Sequence, residues 1–310
     1  MKIVFMGTPA LAVPFVEKLR ESHEIVLVVT QPDKPQGRGR ETQMPPLKKW
    51  ANEYSIPVSQ PARARDEAFI EEMRTYAPDA IAVVAYGQIL PNAILEMPRL
   101  ACLNAHFSLL PRWRGAAPVQ HSLLHGDAIT GVTIQHMAQK LDAGDVVTQV
   151  EYLIPPDATT ADLWRDLTPI GAQALSDALK SLENGTATRT PQDESQITLA
   201  PQLSRDDGRV NWQEGATQTV NRIRATNPWP GAWLTFKSQN LKVWRARVES
   251  TPRNENAGTI LDIDSEGIVV ATSDGEVRVL EVQSEGRPRM DAASWARGQR
   301  IERGQKLGDD

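Results

Sequence analysis

Two polar side chains, those of Asn104 and His106, follow a short apolar run and have the types and spacing to act together in catalysis. The run, residues 99–103, is typical of a buried strand in a parallel sheet. On an extended backbone the side chains of residues i and i+2 point to the same side, so the amide and the imidazole would project together from the carboxyl end of this strand. Open α/β sheets place their ligand crevice at that end. The spacing leaves a plainer interpretation open, in which both groups are satisfied polar residues at a strand end.

Asp142 is the third candidate, because it follows a strand in the same half of the chain. An amide can donate to a developing oxyanion, and an imidazole can act as a base or as a second donor. A carboxylate can orient the imidazole or accept the proton of an attacking group. His121 and His125 lack the glutamate of the H-E-x-x-H zinc motif, so the sequence predicts no metal site.

The elements that would position these residues alternate between strands and helices over residues 1–185. This alternation predicts an α/β fold with a doubly wound, mostly parallel sheet. Residues 186–204 lose the pattern and are predicted to be a linker. Residues 205–310 form a second domain, in which a helix precedes five short strands, and this predicts a C-terminal OB-like β-barrel. The helix and the strands are expected over 215–226, 232–237, 241–248, 258–263, 267–272 and 276–282.

Charge and cysteine content narrow the class of protein. The net charge of −5 argues against a general nucleic-acid binder, but residues 205–310 are neutral, with 16 basic and 16 acidic residues, and are thus the relatively basic part. The single cysteine, Cys102, excludes an internal disulfide framework and fits a reducing compartment. Neither a signal-peptide pattern nor a bilayer-length apolar run occurs, so we expect a cytoplasmic protein without membrane contact.

The stretch from residue 31 to residue 40 is long for a βα loop and has no periodicity. Its basic residues Lys34, Arg38 and Arg40 have the chemistry to contact phosphates. A solvated surface loop explains the same composition, and the residues alone do not decide between the two.

Several segments together resemble the folate-dependent formyltransferases, and among them the branch that acts on methionyl-tRNA. The superfamily signal is the Asn-x-His-x-Ser-Leu-Leu-Pro block with a downstream Leu-Asp-x-Gly, and the basic loop and the Asn-Pro-Trp-Pro-Gly segment indicate the branch. The segments that carry the resemblance span residues 7–9, 31–40, 83–91, 104–118, 141–145 and 227–233.

The resemblance implies a formyltransferase-type Rossmann-like domain with Asn104, His106 and Asp142 as the catalytic set. The implied reaction transfers a formyl group from 10-formyltetrahydrofolate to the amino group of methionine on initiator tRNA, without a metal or a nucleotide. Asn104 and His106 would stabilise the oxyanion and manage the proton, and Asp142 would keep the imidazole placed. Whether His106 or Asp142 takes the proton stays open.

The resemblance also implies two binding surfaces. The folate site would be formed by Ser108, Leu109, Leu110, Pro111, Tyr86, Gly87 and Leu90, although without the resemblance Leu109 and Leu110 are better explained as ordinary core residues. The tRNA would be bound by Lys34, Arg38 and Arg40 in the loop and by Lys242, Arg245 and Arg247 in the second domain. His136 is left out of the site, because in our register Gln135 occupies the position that faces it. We expect a monomer, although the sequence does not give the oligomeric state.

Two other functions compete with this one. A formyltransferase that acts on a nucleotide sugar or another small amine would share the catalytic set, but such an acceptor needs neither a basic loop nor a second domain. A non-catalytic RNA-binding protein would need none of the three candidate residues, Asn104, His106 and Asp142, and their presence together counts against this function.

Overall fold

A computed structural model describes residues 1–36, 41–249 and 255–309. The chain forms two compact units, of which the first comprises Met1–Pro118, Thr130–Tyr152 and Trp164–Leu199. The second comprises Val119–Ile129, Leu153–Leu163 and Ala200–Asp310. The boundaries at 1–185, 186–204 and 205–310 stay a prediction. Within the described residues, every helix is too short or too polar to cross a membrane.

The helices and strands alternate in the first part of the chain, and strands dominate the last part. The strands are β1 Lys2–Gly7, β2 Glu24–Val29, β3 Lys34–Gln36, β4 Glu41–Gln43, β5 Val58–Ser59, β6 Ala80–Val84, β7 Ala101–His106, β8 Arg114–Gly115, β9 Ile129–His136, β10 Val146–Leu153, β11 Leu199–Ala200, β12 Ala232–Phe236, β13 Gln239–Glu249, β14 Ile260–Ile263, β15 Ile268–Ala271, β16 Glu276–Ser284 and β17 Met290–Asp291. The helices are α1 Val13–Arg20, α2 Pro46–Glu53, α3 Glu67–Thr75, α4 Asn92–Leu95, α5 Pro118–Leu124, α6 Thr160–Glu183, α7 Ala216–Ala225 and α8 Ala292–Gln299.

A seven-stranded sheet with the order β10-β9-β7-β6-β1-β2-β5 forms the framework of the first unit. The pairs of β1 with β2 and β6, of β2 with β5 and of β6 with β7 are parallel, whereas β7 and β9 are antiparallel. Strand β6 is buried at every position, as its unbroken apolar sequence predicts for a strand covered on both faces. Because β1, β6 and β7 are parallel, their last residues, Gly7, Val84 and His106, lie on the side of the sheet where the carboxyl ends of these strands meet.

Strand β7 is longer than the run of apolar residues that predicts it. It extends from Ala101 to His106, so Asn104 and His106 lie in the strand itself and not beyond its end. The extension follows from pairing on both sides: Asn104 is in register with Val83 of β6 and with Gln135 of β9, and His106 is in register with Thr133. The polar residues therefore have a fixed backbone.

The basic segment between residues 31 and 40 is partly regular. The β3 and β4 strands pair antiparallel, with Lys34 in register with Gln43. The sequence predicts an irregular loop at Lys34. The structure instead places this residue at the start of strand β3. Arg38 and Arg40 lie outside the described residues.

An antiparallel sheet with the order β12-β13-β16-β15-β14 forms the C-terminal part of the second unit, and β17 pairs with β16. Its inward side chains surround one apolar cluster that includes Trp212, Ile223, Val243, Val279 and Trp295. The five predicted strands and helix α7 are all present within a few residues of their expected bounds. The predicted fold class, a mostly parallel α/β sheet followed by an antiparallel-strand domain, is confirmed.

Candidate active site

The side chain of His106 is buried, and a backbone carbonyl fixes its orientation. Its Nε2 lies 2.9 Å from the carbonyl oxygen of Trp113. A carbonyl oxygen only accepts hydrogen bonds, so Nε2 is the nitrogen that bears a proton, and Nδ1 is the basic nitrogen of the neutral ring. Nδ1 lies 3.6 Å from Oδ2 of Asp142, and the two side chains are 6% and 12% exposed. A proton on Nδ1 would thus be stabilised by an adjacent carboxylate.

The Trp113 carbonyl that orients His106 belongs to a turn with many hydrogen bonds. The Ser108 hydroxyl donates to the carbonyl of Arg112 at 2.6 Å, and the Thr133 hydroxyl donates to the carbonyl of Ser108 at 2.6 Å. The backbone N–H of Leu110 in turn donates to the Thr133 hydroxyl at 3.1 Å. Strand β9 thus anchors the Ser-Leu-Leu-Pro turn to the sheet and gives the imidazole a rigid partner.

Asp142 is held by two donors, one for each carboxylate oxygen. The backbone N–H of Gly115 donates to Oδ2 at 2.9 Å, and the side-chain amide of Gln135 donates to Oδ1 at 3.2 Å. The residue has a positive φ of 48°. Gly144, two residues later, lies so close to the carbonyl oxygen of His136 that a Cβ would be 1.7 Å from it, so only glycine fits there.

The side chain of Asn104 differs from those of its two neighbours. It is half-buried, and within the part of the chain that the structure describes its amide has no hydrogen-bond partner. An amide with free N–H groups beside a buried imidazole can donate to a negative oxygen that forms during a reaction. Asn104, His106 and Asp142 together offer a donor, a base and a carboxylate that stabilises the protonated base.

Gln135 lies beside Asn104 and Asp142, at the position that the strand register predicts for it. It is 1% exposed, is paired with Asn104 and donates to Asp142. His136 is in register with Leu103. Adjacent residues of a strand face opposite sides of the sheet, so leaving His136 out of the site agrees with the structure.

The residues expected to bind folate fall into two groups. Gly87, Leu109 and Pro111 are exposed or half-buried, whereas the side chains of Ser108, Leu110, Tyr86 and Leu90 are buried.

Tyr86 and Leu90 belong to the apolar cluster of the sheet. Burial raises the pKa of Tyr86 to about 12. Its side chain is 2% exposed, and its backbone carbonyl accepts hydrogen bonds from Thr8 and Gln31. Any contact of Tyr86 with a ligand would therefore involve its backbone. Ile89, which the sequence did not single out, is 85% exposed in the same loop.

The basic residues expected to bind tRNA differ in their surroundings. Lys34 is exposed and donates to the Gln31 side chain at 2.6 Å. Lys242 lies over the Trp244 ring, 5.2 Å from its centroid, and Arg289 lies 3.4 Å from the same centroid.

Arg245 and Arg247 are both exposed on β13, but Arg247 pairs with two carboxylates, Glu249 at 3.2 Å and Glu266 at 2.5 Å. The register of β13 against β16 shifts on both sides of Arg245, so simple alternation does not hold there. Arg247 thus has acidic partners within the protein that the sequence alone does not reveal, and its role in binding tRNA stays a prediction.

Two family matches together span most of the chain. Residues 1–179 match the family described as formyl transferase, and residues 202–300 match the formyl transferase C-terminal domain. The methionyl-tRNA formyltransferase of Clostridioides difficile (strain 630) is 41% identical over 309 residues, which cover 99% of this chain and 100% of that protein. The methionyl-tRNA formyltransferase of Alkaliphilus oremlandii (strain OhILAs) is 42% identical over 310 residues, which cover 100% of both chains.

Solved structures show the same fold at lower identity. A structure of WlaRD, a sugar 3N-formyl transferase, in the presence of dTDP and 5-N-formyl-THF superposes with a TM-score of 0.69 at 16% identity and covers 93% of this chain and 99% of that one. HypX from Aquifex aeolicus in complex with tetrahydrofolic acid gives a TM-score of 0.61 at 20% identity over 96% of this chain and 47% of HypX. The chain thus spans about half the length of HypX, and at these identities the likeness extends to the fold alone.

Proposed function

The chain belongs to the formyl transferase family, and from this membership we propose that it transfers the formyl group of 10-formyltetrahydrofolate to the amino group of methionine on initiator methionyl-tRNA. Full-length relatives at 41–42% identity bear the name of this activity. The structural observation that supports the chemistry is the pairing of the buried His106 with Asp142 at 3.6 Å, next to the free amide of Asn104.

The reaction needs a base, an oxyanion donor and a proton source for the leaving group. The methionyl nitrogen attacks the formyl carbon and forms a C–N bond, while the formyl oxygen becomes negatively charged. The amide N–H groups of Asn104 would donate to this oxygen, and Nδ1 of His106 would take the proton that the amine loses. When the bond between the formyl carbon and the folate nitrogen breaks, the same proton can pass to that nitrogen.

Asp142 would stabilise the imidazolium that exists between these two proton transfers. Its two oxygens accept hydrogen bonds from Gly115 and Gln135, and these fix the carboxylate beside the imidazole. We therefore assign the proton transfer to His106 and the charge stabilisation to Asp142.

The binding surfaces follow from the same proposal. Folate would lie against Gly87, Leu109 and Pro111, and the tRNA would contact Lys34, Arg38 and Arg40 together with Lys242 and Arg245. We further propose that the protein acts as a monomer in the cytoplasm, where initiator tRNA is charged.

The experiment that tests the function compares formyl acceptors. Wild-type protein is incubated with 10-formyltetrahydrofolate and either methionyl initiator tRNA or a panel of small amines, including an amino sugar nucleotide. We expect transfer to the charged tRNA. Preference for a small amine with the charged tRNA inert would contradict the proposal.

His106→Ala tests the site in the same assay. We expect kcat to fall by about 10²–10⁴-fold, because general acid–base catalysis contributes about that much. The affinity for tRNA should stay near the wild-type value. The melting temperature is measured alongside, because the substitution leaves the Trp113 carbonyl without its donor, and equal loss of tRNA binding and stability would indicate a structural histidine.

A further inference from the structure

A segment beyond the last helix of the first unit contacts the Asp142 loop and the turn whose carbonyl orients His106. We name residues 188–198 the strap. From its geometry we propose that Gln192, held in turn by Arg114, is a positioning residue that fixes the Asp142 loop against His106. This inference rests on the proposed function for its kinetic consequence, but its structural part can be tested without any substrate.

The side-chain amide of Gln192 binds the loop through both of its N–H bonds. Nε2 lies 2.8 Å from the carbonyl oxygen of Asp142 and 2.7 Å from that of Gly144. It also lies 3.3 Å from the side-chain oxygen of Gln135, the residue that donates to the Asp142 carboxylate. One side chain therefore spans the turn that presents Asp142.

The other end of the Gln192 amide is bound by a buried cation. Arg114 is 3% exposed, and its Nε and Nη2 donate to Oε1 of Gln192 at 3.0 Å and 2.7 Å. A positive charge at the amide oxygen polarises the group and strengthens the hydrogen bonds that its nitrogen donates. Gly115, the residue after Arg114, donates its backbone N–H to the Asp142 carboxylate. The Arg114 side chain binds Gln192 of the strap, so residues 114 and 115 together connect the strap to Asp142.

The Asp142 loop requires an external hold. Asp142 adopts the left-handed region with φ 48°, where a residue with a Cβ is strained. Strained backbones persist only where surrounding contacts determine them. Gln192 binds the carbonyl oxygen of Asp142 itself and that of Gly144, two residues later, so its hydrogen bonds act directly on the strained part of the loop.

The far end of the strap holds the partner of His106. The hydroxyl of Thr198 accepts the backbone N–H of Trp113 at 2.9 Å, and its carbonyl accepts the N–H of Arg114 at 2.9 Å. The Trp113 carbonyl is the group that orients the imidazole. The strap thus fixes His106 at one end and Asp142 in the middle, so the 3.6 Å between them depends on a segment that contributes neither residue.

Gln192→Glu separates this role from general stability. The new carboxylate still accepts from Arg114 but cannot donate to the carbonyls of Asp142 and Gly144. We expect kcat to fall by about 10²-fold, since a displacement of roughly 1 Å in a catalytic group has that effect, while the KM values for folate and tRNA change by about twofold or less. Gln192→Ala, which introduces no charge, should lose kcat in the same direction.

Gln196→Glu is the matched control. It makes the same chemical change four residues along the strap, where the exposed amide donates only to Asp193 at 2.8 Å. We expect near wild-type kcat. A wild-type kcat in both Gln192 variants would overturn the proposal, and so would parallel losses of kcat and melting temperature in Gln192→Glu and Gln196→Glu.

Hydrogen exchange at the Gly115 amide tests the strap without substrate. This N–H is bound to the Asp142 carboxylate, so release of the loop should increase its exchange rate by about tenfold in Gln192→Glu but not in Gln196→Glu. Unchanged exchange would overturn the positioning role. If the wild-type protein fails to formylate methionyl-tRNA while exchange responds as expected, the proposed function is wrong and the strap's role is retained.

Discussion

At the scale of single residues, the candidate site depends on which polar groups have partners and which do not. His106 uses one nitrogen to bind a carbonyl and presents the other to Asp142, and Asp142 uses each oxygen to accept a fixed donor. Asn104 alone keeps its hydrogen-bonding capacity free within the described residues. A group that is unsatisfied in the resting protein and gains a partner during the reaction lowers the barrier without stabilising the ground state.

Asn104→Asp tests this interpretation. The variant keeps the shape of the side chain but replaces the N–H donors with a negative charge, so we expect kcat to fall by about 10²–10³-fold, the usual effect of losing an oxyanion donor. The melting temperature of Asn104→Ala should change little, because no hydrogen bond is lost. Asn104→Ala should retain more activity than Asn104→Asp, since it adds no charge, and the opposite order in a steady-state assay would argue against the donor role.

At the scale of elements, the two helical glycines Gly171 and Gly298 differ in surroundings and should respond oppositely to the same substitution. A Cβ on Gly171 of α6 would lie 2.8 Å from the Phe15 ring and 3.2 Å from Val132, both of which are fully buried. A Cβ on Gly298 of α8 would have no atom within 4 Å.

We expect Gly171→Ala to lower the free energy of unfolding by about 1–3 kcal/mol through overpacking. Gly298→Ala should raise it by about 0.5–1 kcal/mol through helix propensity. Chemical denaturation of both variants provides the measurement, and a change of the same sign in both would contradict this account of the helices.

The elements also show how far the sequence determines the fold. The strands of the second unit have strong periodic patterns, and the structure places them close to the expected bounds. Helix α8 was missed because its buried positions are mostly alanines, Ala292, Ala293 and Ala296 beside Trp295, which produce a weak apolar stripe. Strand β17 has only two residues, too few for any pattern.

The residues in and around the candidate site can be predicted from the sequence only where they lie in a regular, periodic element. Asn104 and Gln135 are predictable in placement because they lie on strands whose period and register are regular. Gln192 is not predictable, because it lies in a stretch without periodicity and binds backbone carbonyls, whose positions leave no mark in the amino-acid sequence. The Arg247 ion pairs escape prediction for a similar reason, since one partner, Glu266, is 19 residues away.

At the scale of the whole molecule, buried histidines make the stability depend on pH. Burial lowers the pKa of His23 below its usual value; the N-terminal ammonium and Lys180 act in the same direction, and Glu183 opposes them. Neither ring nitrogen of His23 has a hydrogen-bond partner among the residues described. Burial also lowers the pKa values of His121 and His136.

The direction in which the free energy of unfolding changes with pH follows from which state, folded or unfolded, binds the proton at the higher pH. The unfolded chain protonates these histidines near their ordinary pKa, about 6.5, whereas the folded chain does so only at lower pH. The stabilisation is therefore complete above pH 6.5 and is lost as the pH falls toward the folded-state values. Each histidine changes the free energy of unfolding by at most about 1.4 kcal/mol per pH unit in that window.

Between pH 7.5 and pH 5.5 the free energy of unfolding should fall less in His23→Gln than in the wild-type protein. Urea denaturation at each pH measures this difference. An unchanged slope in His23→Gln would show that His23 does not contribute to the pH dependence.

The position of the strap has a practical consequence for dividing this protein into parts. The formyl transferase match ends at residue 179, and helix α6 ends at Glu183, so either residue is an obvious choice for the end of a truncated fragment. A fragment that stops there would contain Asn104, His106 and Asp142 but would lack Gln192 and Thr198. Any fragment excised for fusion, domain exchange or directed evolution should therefore extend to residue 199, because Asp142 of the candidate site would otherwise lie in a loop without its hydrogen bonds to Gln192.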